Sequence, residues 1–256
     1  MKLSIIIPAH NEEKRISKTL EDYAFFFRKK FKKEFEIIVV LNGCIDNTLG
    51  VVKKFQKKYP SIRYLDFKQS GKGFAIIEGF KTAKGDLMGF ADADGSTNAE
   101  AFNDLILKIN PYDGIIASRY MKGSVVNPKQ PIKRRIASRI FNFIVRVLFG
   151  LKTGDTQCGA KLFRKEAIKK MLPKLGITKW AFDVDLLYQI KRESFRTKEI
   201  PTVWKDCLGS RLNIRKATIE MFLSLARLRL IYSPFKFIVR FYDLFSNSMK
   251  IHGRMK

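Results

Sequence analysis

Two carboxylates, Asp92 and Asp94, stand two positions apart in GFADADGST, residues 89–97. In an extended segment residues i and i+2 project to the same side, so both acids converge just past the end of an apolar run. Carboxylate oxygens placed this way suit Mg2+ or Mn2+, hard ions that also bridge to substrate phosphates. The same acids suit the capping of a turn and of the helix after it, and Gly95-Ser96-Thr97 has turn composition. SGKGFA (70–75) sets Gly-Lys-Gly at the opening of a helix, where backbone N–H groups can meet an anion, and the same glycines equally suit a plain turn and cap. The P-loop spacing is absent. WAFDVDLL (180–187) adds Asp183 and Asp185, and neither His10 nor His252 falls into a Ser-His-Asp order.

These residues need a frame, and the pattern supplies one. Short β-rich runs, LSIII (3–7), FEIIVV (35–40), IRYLDF (62–67), DLMGFAD (86–92) and DGIIAS (113–118), alternate with amphipathic stretches of helix length such as 12–30, for which Asn11 is the expected N-cap. Apolar strands separated by helices predict an α/β fold, a mostly parallel sheet covered on both faces. Ligands bind such sheets at the carboxyl ends of the strands. PAHNEE, LNGCIDNT and DADGST each follow a strand, so all three are expected along one edge. MKGSVVNPKQP (121–131) reads as a mobile loop and 132–150 as a basic amphipathic helix. The run from Lys129 to Lys152 holds seven basic residues and no acid. A similar apolar and basic pattern spans Arg215 to Phe245, with Pro234 expected to break it into two helices.

The chain has 256 residues, with 50 Lys+Arg against 24 Asp+Glu and a formal net charge of +26. Such a surface attracts polyanions: nucleic acid, anionic lipid or phosphorylated substrates. Nucleic acid is disfavoured, because the aromatics sit within apolar periodic runs rather than on a basic platform, and no zinc-finger or RNP-like motif appears. Cys44, Cys158 and Cys207 lie far apart with no CxxC pair, which argues against a zinc site or disulfide framework. The N-terminal apolar run is shorter than the roughly 7–15 residues of a secretory h-region. No window reaches the ~20 apolar residues of a membrane span. The expectation is reduced thiols on the cytoplasmic side of a membrane that the protein does not cross, its lying peripherally on that surface being left open by composition alone.

SIIIPAHNEE, IIVVLNGCIDNT, GKGFAIIEGFKTAKGD and GFADADGST, in that order, resemble the family 2 glycosyltransferases of the Rossmann-like GT-A fold. ASRYMKGS, PIKRRIASR, GDTQCGAKLFRKEA, WAFDVDLL and GSRL are similar to the polyprenyl-phosphate branch of that family, most like its dolichyl-phosphate glucosyltransferase side. The resemblance covers residues 3 to about 212. It implies a catalytic domain over 1–212, including an acceptor loop and amphipathic helix at 121–150, and a basic helical tail over 213–256 at a membrane surface. It further implies that Pro8, His10, Glu12, Asn42, Asp46, Lys72 and Asp92 bind the nucleotide-sugar, that Asp92 and Asp94 hold Mg2+ or Mn2+, and that Arg119, Arg134 and Ser138 bind the acceptor phosphate. Asp92, Asp94 and Arg119 would carry catalysis, with Asp155, Gln157 and Asp183 supporting the site. Many relatives carry two acids where this chain has Leu41-Asn42. The implied reaction moves a hexose, UDP-glucose being the favoured donor, to a polyprenyl phosphate. GDP-mannose as donor, and a hydroxyl acceptor served by Asp183 as base, stand beside it as alternatives.

Overall fold

In the computed structural model, which describes residues 2–176, 180–205 and 214–239, the first strand runs Leu3–Ala9 (β1). Its side chains alternate between two cores, Leu3, Ile5 and Ile7 facing one and Ile6 the other. Phe35–Asn42 (β2) does the same with Ile37 and Val39 against Ile38 and Val40. A strand greasy on both sides must be covered on both sides. Ile16–Phe31 (α1), Thr48–Lys58 (α2) and Ala99–Leu107 (α4) cover one face; Lys72–Thr82 (α3), Ile132–Phe149 (α5), Lys165–Met171 (α6), Phe182–Arg192 (α7) and Ile214–Ile231 (α8) cover the other.

The sheet is completed by Ile62–Phe67 (β3), Leu87–Phe90 (β4), Gly114–Ser118 (β5), Lys161–Arg164 (β7) and Thr197–Pro201 (β8). Its order is β3-β2-β1-β4-β7-β5-β8, parallel except for β7, which runs antiparallel to both β4 and β5. The order reverses between β1 and β4, and that switch point opens a crevice at their carboxyl ends. The loops after β1, β2 and β4 gather there, as expected.

Several local expectations change. Helix α1 begins at Ile16 rather than Glu12, and Asn11 does not cap it. Asn11 sits at φ 56°, a left-handed conformation that Asn tolerates, and its Oδ1 accepts from Ile45 N at 2.8 Å, tying the first loop to the second. Residues 121–131 are not one structureless loop. Val125–Asn127 (β6) pairs in parallel with Val203–Lys205 (β9), and Val125 N donates to Thr202 O at 3.0 Å. Helix α5 ends at Gly150, φ 60°, the usual left-handed C-cap.

Part of the tail packs on the domain. Leu225 and Leu228 of α8 are buried in the second core, Phe222 meets Phe141 of α5 edge-on, and Trp180 Nε1 donates to Glu220 Oε2 at 2.9 Å. Apolar burial thus docks α8 onto the domain. The helix stops at Ile231, before Pro234. The expected boundary at 212/213, the GSRL motif, Cys207, Phe241, Phe245 and His252 lie outside the described residues.

Candidate active site

The loop carrying Asp92 and Asp94 leaves β4 and is clamped onto α1. Thr19 Oγ1 donates to Ala93 O at 2.8 Å, Tyr23 Oη donates to Thr97 O at 2.8 Å, and Asp22 Oδ2 accepts from Ala99 N at 2.8 Å. Gly95 turns the chain at φ 71°. Asp94 Oδ1 accepts from Ser96 N at 2.9 Å. Asp92 Oδ1 lies 2.7 Å from Lys72 Nζ, with both side chains about one-third exposed at 33% and 37%. Lys72 is the first residue of α3, as its Gly-Lys-Gly setting suggested. A Cβ on Gly159 would stand 1.8 Å from Asp92 Oδ2, so only glycine lets the carboxylate settle over that backbone.

Behind Asp92 lies a charge network that the motifs did not disclose. Lys161, fully buried on β7, donates from Nζ to Cys158 O at 2.7 Å and to Asp183 Oδ1 at 2.5 Å. Burial alone would raise the Asp92 pKa; Lys72, then Lys161 and Arg119, outweigh it and hold the carboxyl below its ordinary value. Burial pushes the Cys158 thiol up to about 11, which makes it an inert packing group. Glu12 forks to Arg15 through Nε and Nη2, both at 2.7 Å, yet burial, with Asp94 and Asp92 nearby, raises its pKa.

Arg119 leaves β5 and forks onto Asp155. Its Nε reaches Oδ2 and its Nη2 reaches Oδ1, both at 2.8 Å, while its backbone N also donates to Oδ2 at 2.9 Å. Asp155 is fully buried and receives no solvent. The guanidinium lies 5.3 Å from the Trp204 ring and 5.5 Å from the Tyr120 ring. Nη1 takes no part in the fork. Tyr120 Oη donates to Ser138 Oγ of α5 at 2.5 Å, and Arg139 stacks on the Tyr120 ring at 4.6 Å. Beside this cluster a half-open cavity of about 320 Å³ is lined by Ser118, Tyr120, Arg139, Asn142, Phe143 and Arg146 among others.

The sequence-based site residues therefore divide. Asp92 and Lys72 meet at the crevice beside Asp94, with Glu12 near enough to feel both aspartates, and Arg119 and Ser138 meet through Tyr120. Arg134 lies one turn before Ser138 on α5, half-buried. His10 is exposed, its Nδ1 2.6 Å from Asn42 O. Asn42 is not offered to a ligand. It is buried, its Nδ2 donates to Ala9 O at 2.8 Å and its Oδ1 accepts from Gly71 N at 3.0 Å, so the amide is consumed in joining β1 to the start of α3. Pro8 is buried within β1, one residue before its carboxyl end. Asp46 accepts from Thr48 N at 3.0 Å, Thr48 Oγ1 at 2.5 Å and Glu13 N at 3.2 Å, which locks the first two loops together. Gln157 Nε2 is buried and finds no hydrogen-bond partner among the described residues. Asp183 is sequestered by Lys161. Sequence reasoning missed Gly159, Lys161, Tyr120 and Trp204. A lysine inside the apolar run CGAKLF was the one visible sign of a buried ion pair.

Asp92 and Asp94 fit a divalent cation in chemistry: hard oxygens on one loop, one of them already drawing a cation to itself. Among the described residues no three acidic, His or Cys side chains converge, so further ligands would come from substrate oxygens and water.

The profile of glycosyl transferase family 2 matches residues 4–172. The chain is 35% identical over 243 residues to a dolichyl-phosphate beta-glucosyltransferase of Dictyostelium discoideum, covering 90% of this chain and 74% of the relative. It is 32% identical over 246 residues to the Homo sapiens enzyme of that name, covering 90% and 76%. Among solved structures, glucosyl-3-phosphoglycerate synthase from Mycobacterium tuberculosis, in complex with Mn2+, UDP and phosphoglyceric acid, superposes with a TM-score of 0.67 at 14% identity over 91% of this chain and 80% of that one. The mannosyltransferase PcManGT from Pyrobaculum calidifontis, in complex with GDP-Man and Mn2+, gives 0.61 at 14% identity over 99% and 76%. The fold is the GT-A type, and the chain belongs to glycosyl transferase family 2 as a glycosyltransferase.

Proposed function

We propose that this enzyme transfers a hexose, glucose from UDP-glucose, to the phosphate of a polyprenol, inverting the anomeric carbon. The observation that carries the reading is helix α5. Its inner face packs Phe141, Val145 and Phe149 into the core, and its Ser138 joins the Arg119–Tyr120 cluster. On its outer face Ile132, Ile136, Ile140, Phe143 and Val147 are each at least half exposed, flanked by Arg135, Arg139 and Arg146. A cationic edge beside an apolar stripe, reaching back to the acidic crevice, matches an acceptor with an anionic head and a greasy tail. The names of the relatives support the same acceptor and sugar.

An acceptor phosphate oxygen attacks the anomeric carbon, and the bond to the donor's diphosphate breaks with its electron pair leaving on the nucleoside diphosphate. The acceptor needs no general base, since the second pKa of a phosphate monoester lies near 6. Arg119, set by its fork to Asp155 between two rings, presents a pre-aligned cation, joined by Arg134 and Ser138 of α5. Lys72 neutralises the leaving diphosphate. Mg2+ or Mn2+, held by Asp92 and Asp94, would supply Lewis-acid stabilisation to that leaving group. No helix among the described residues is long and apolar enough to cross a membrane, and the reading places the enzyme on the cytoplasmic surface of one through α5.

The test replaces Ile136, Ile140 and Val147 with Ser. All three are exposed, so the fold should be little affected. Co-sedimentation with anionic vesicles should fall by about tenfold or more, because each side chain forfeits roughly 1.5–3 kcal/mol of full apolar burial at most. Transfer to dolichyl phosphate in those vesicles should fall with it, while transfer to a short, water-soluble polyprenyl phosphate persists. Unchanged vesicle binding and transfer would sink the role of α5.

A further inference from the structure

The Lys72–Asp92 pair stands where a metal ion would bind, and its geometry has a thermodynamic consequence. The ammonium is 2.7 Å from Asp92 Oδ1. The other oxygen of Asp92 is crowded by the Gly159 backbone position. Asp94 already spends Oδ1 on Ser96 N. No third metal-binding side chain converges on the loop among the described residues. Asp92, Asp94 and Lys72 carry one net negative charge between them. A divalent ion entering alone would make that sum positive and leave the Lys72 ammonium facing a second cation. It would also find few protein oxygens. A nucleoside diphosphate entering with the metal would change both conditions, because its phosphates would offer the missing oxygens and give Lys72 a new anion.

We propose that Lys72 is an exchangeable internal cation: it occupies Asp92 in the empty site, weakens binding of the metal alone, and moves to the diphosphate when donor and metal arrive together. This rests on the nucleotide-sugar reading of the same site. Lys72 therefore couples the two ligands, and the coupling is reciprocal, each strengthening the other by the same factor. Lys72 opens α3 directly after Gly71, at φ 143°, and its side chain is about one-third exposed, so its flexible stem is not locked by packing. A lysine that merely tethered Asp92 would act with the opposite sign, since its loss would leave Asp92 less well placed for metal.

The experiment measures protein-bound Mn2+ by equilibrium dialysis and electron paramagnetic resonance at buffered free Mn2+, without acceptor, alone and with UDP or GDP. It compares the wild type with Lys72→Gln and Lys72→Arg, with thermal midpoints as a folding control. In the wild type, nucleotide should strengthen Mn2+ binding by about tenfold or more. Lys72→Gln should bind Mn2+ alone about fivefold tighter or more, and nucleotide should then add less. Lys72→Arg, which keeps the cation, should behave like the wild type. A folded Lys72→Gln protein that binds Mn2+ alone no better than the wild type, or more weakly, overturns the exchange. If no folded form binds Mn2+ even with either nucleotide, the nucleotide-sugar reading itself fails, and the exchange with it.

Discussion

Replacing Asp94 with Asn should lower the rate of sugar transfer by about a hundredfold to a thousandfold, the scale on which a single group stabilising developing charge is worth most. The variant is chosen because it isolates charge. Asn retains the Oδ1 that accepts from Ser96 N, so the turn after the loop keeps its bond. The clamps from Thr19, Tyr23 and Asp22 do not involve Asp94 and should hold the loop in place. One like charge disappears from beside Asp92, so the thermal midpoint should stay level or rise. Measured turnover with Mn2+ and with Mg2+, set beside a melting curve, checks both halves. Full activity in a folded Asp94→Asn protein would remove the acid pair from the chemistry and return it to a turn.

The second large effect concerns Asp183 and is on stability. The sequence offered Asp183 as a base for a hydroxyl acceptor. In the fold it is the partner of Lys161, and both side chains are almost wholly removed from water. Removing one member of such a pair leaves an uncompensated buried charge, at about 3–5 kcal/mol. Asp183→Asn should therefore lower the thermal midpoint by roughly 10 °C. Its loss of activity alone would say little about a base. The combination Lys161→Met with Asp183→Leu removes both charges and should recover most of the stability, since apolar pairs often replace buried ion pairs without loss. If transfer persists in the double variant, Asp183 is not the base. If the double variant is stable and wholly inactive, the hydroxyl-acceptor alternative gains.

Much of the frame was legible because its strands are long and apolar on both sides. LSIII and FEIIVV could hardly be anything but central strands, and the loops behind them had to gather at one edge. The acids of DADG, the lysine of GKG and the amphipathic character of α5 were legible for similar reasons: type and spacing carry their chemistry. What stayed hidden was mostly held across sequence distance. β7 is four residues long and contains a lysine, so no periodicity announces it. β6 and β9 are three residues each and exist only because they meet. Asn42 looked like a group for a nucleotide base, but its amide is spent on Ala9 and Gly71, a commitment that no local pattern encodes. Asn11 had the composition of a cap and serves as a strut. Arg119 was readable as a phosphate-binding cation, whereas the fork to Asp155, 36 positions away, that aims it was not. The tail read as a basic amphipathic segment at a membrane surface; tertiary packing claims Leu225 and Leu228 for the core, while Ile219, Phe235 and Phe237 stay exposed.

The central claim is transfer of glucose from UDP-glucose to a polyprenyl phosphate. Its most direct test incubates the purified protein with Mn2+, dolichyl phosphate and labelled UDP-glucose, with parallel reactions on labelled GDP-mannose, followed by extraction into organic solvent. The account predicts label in the organic phase from UDP-glucose, dependent on both metal and dolichyl phosphate, and carried by a lipid phosphate bearing one hexose. Lipid-linked label from GDP-mannose instead would contradict the donor. No lipid-linked label from any nucleotide-sugar, in a protein shown to be folded and to bind nucleotide, would contradict the account as a whole.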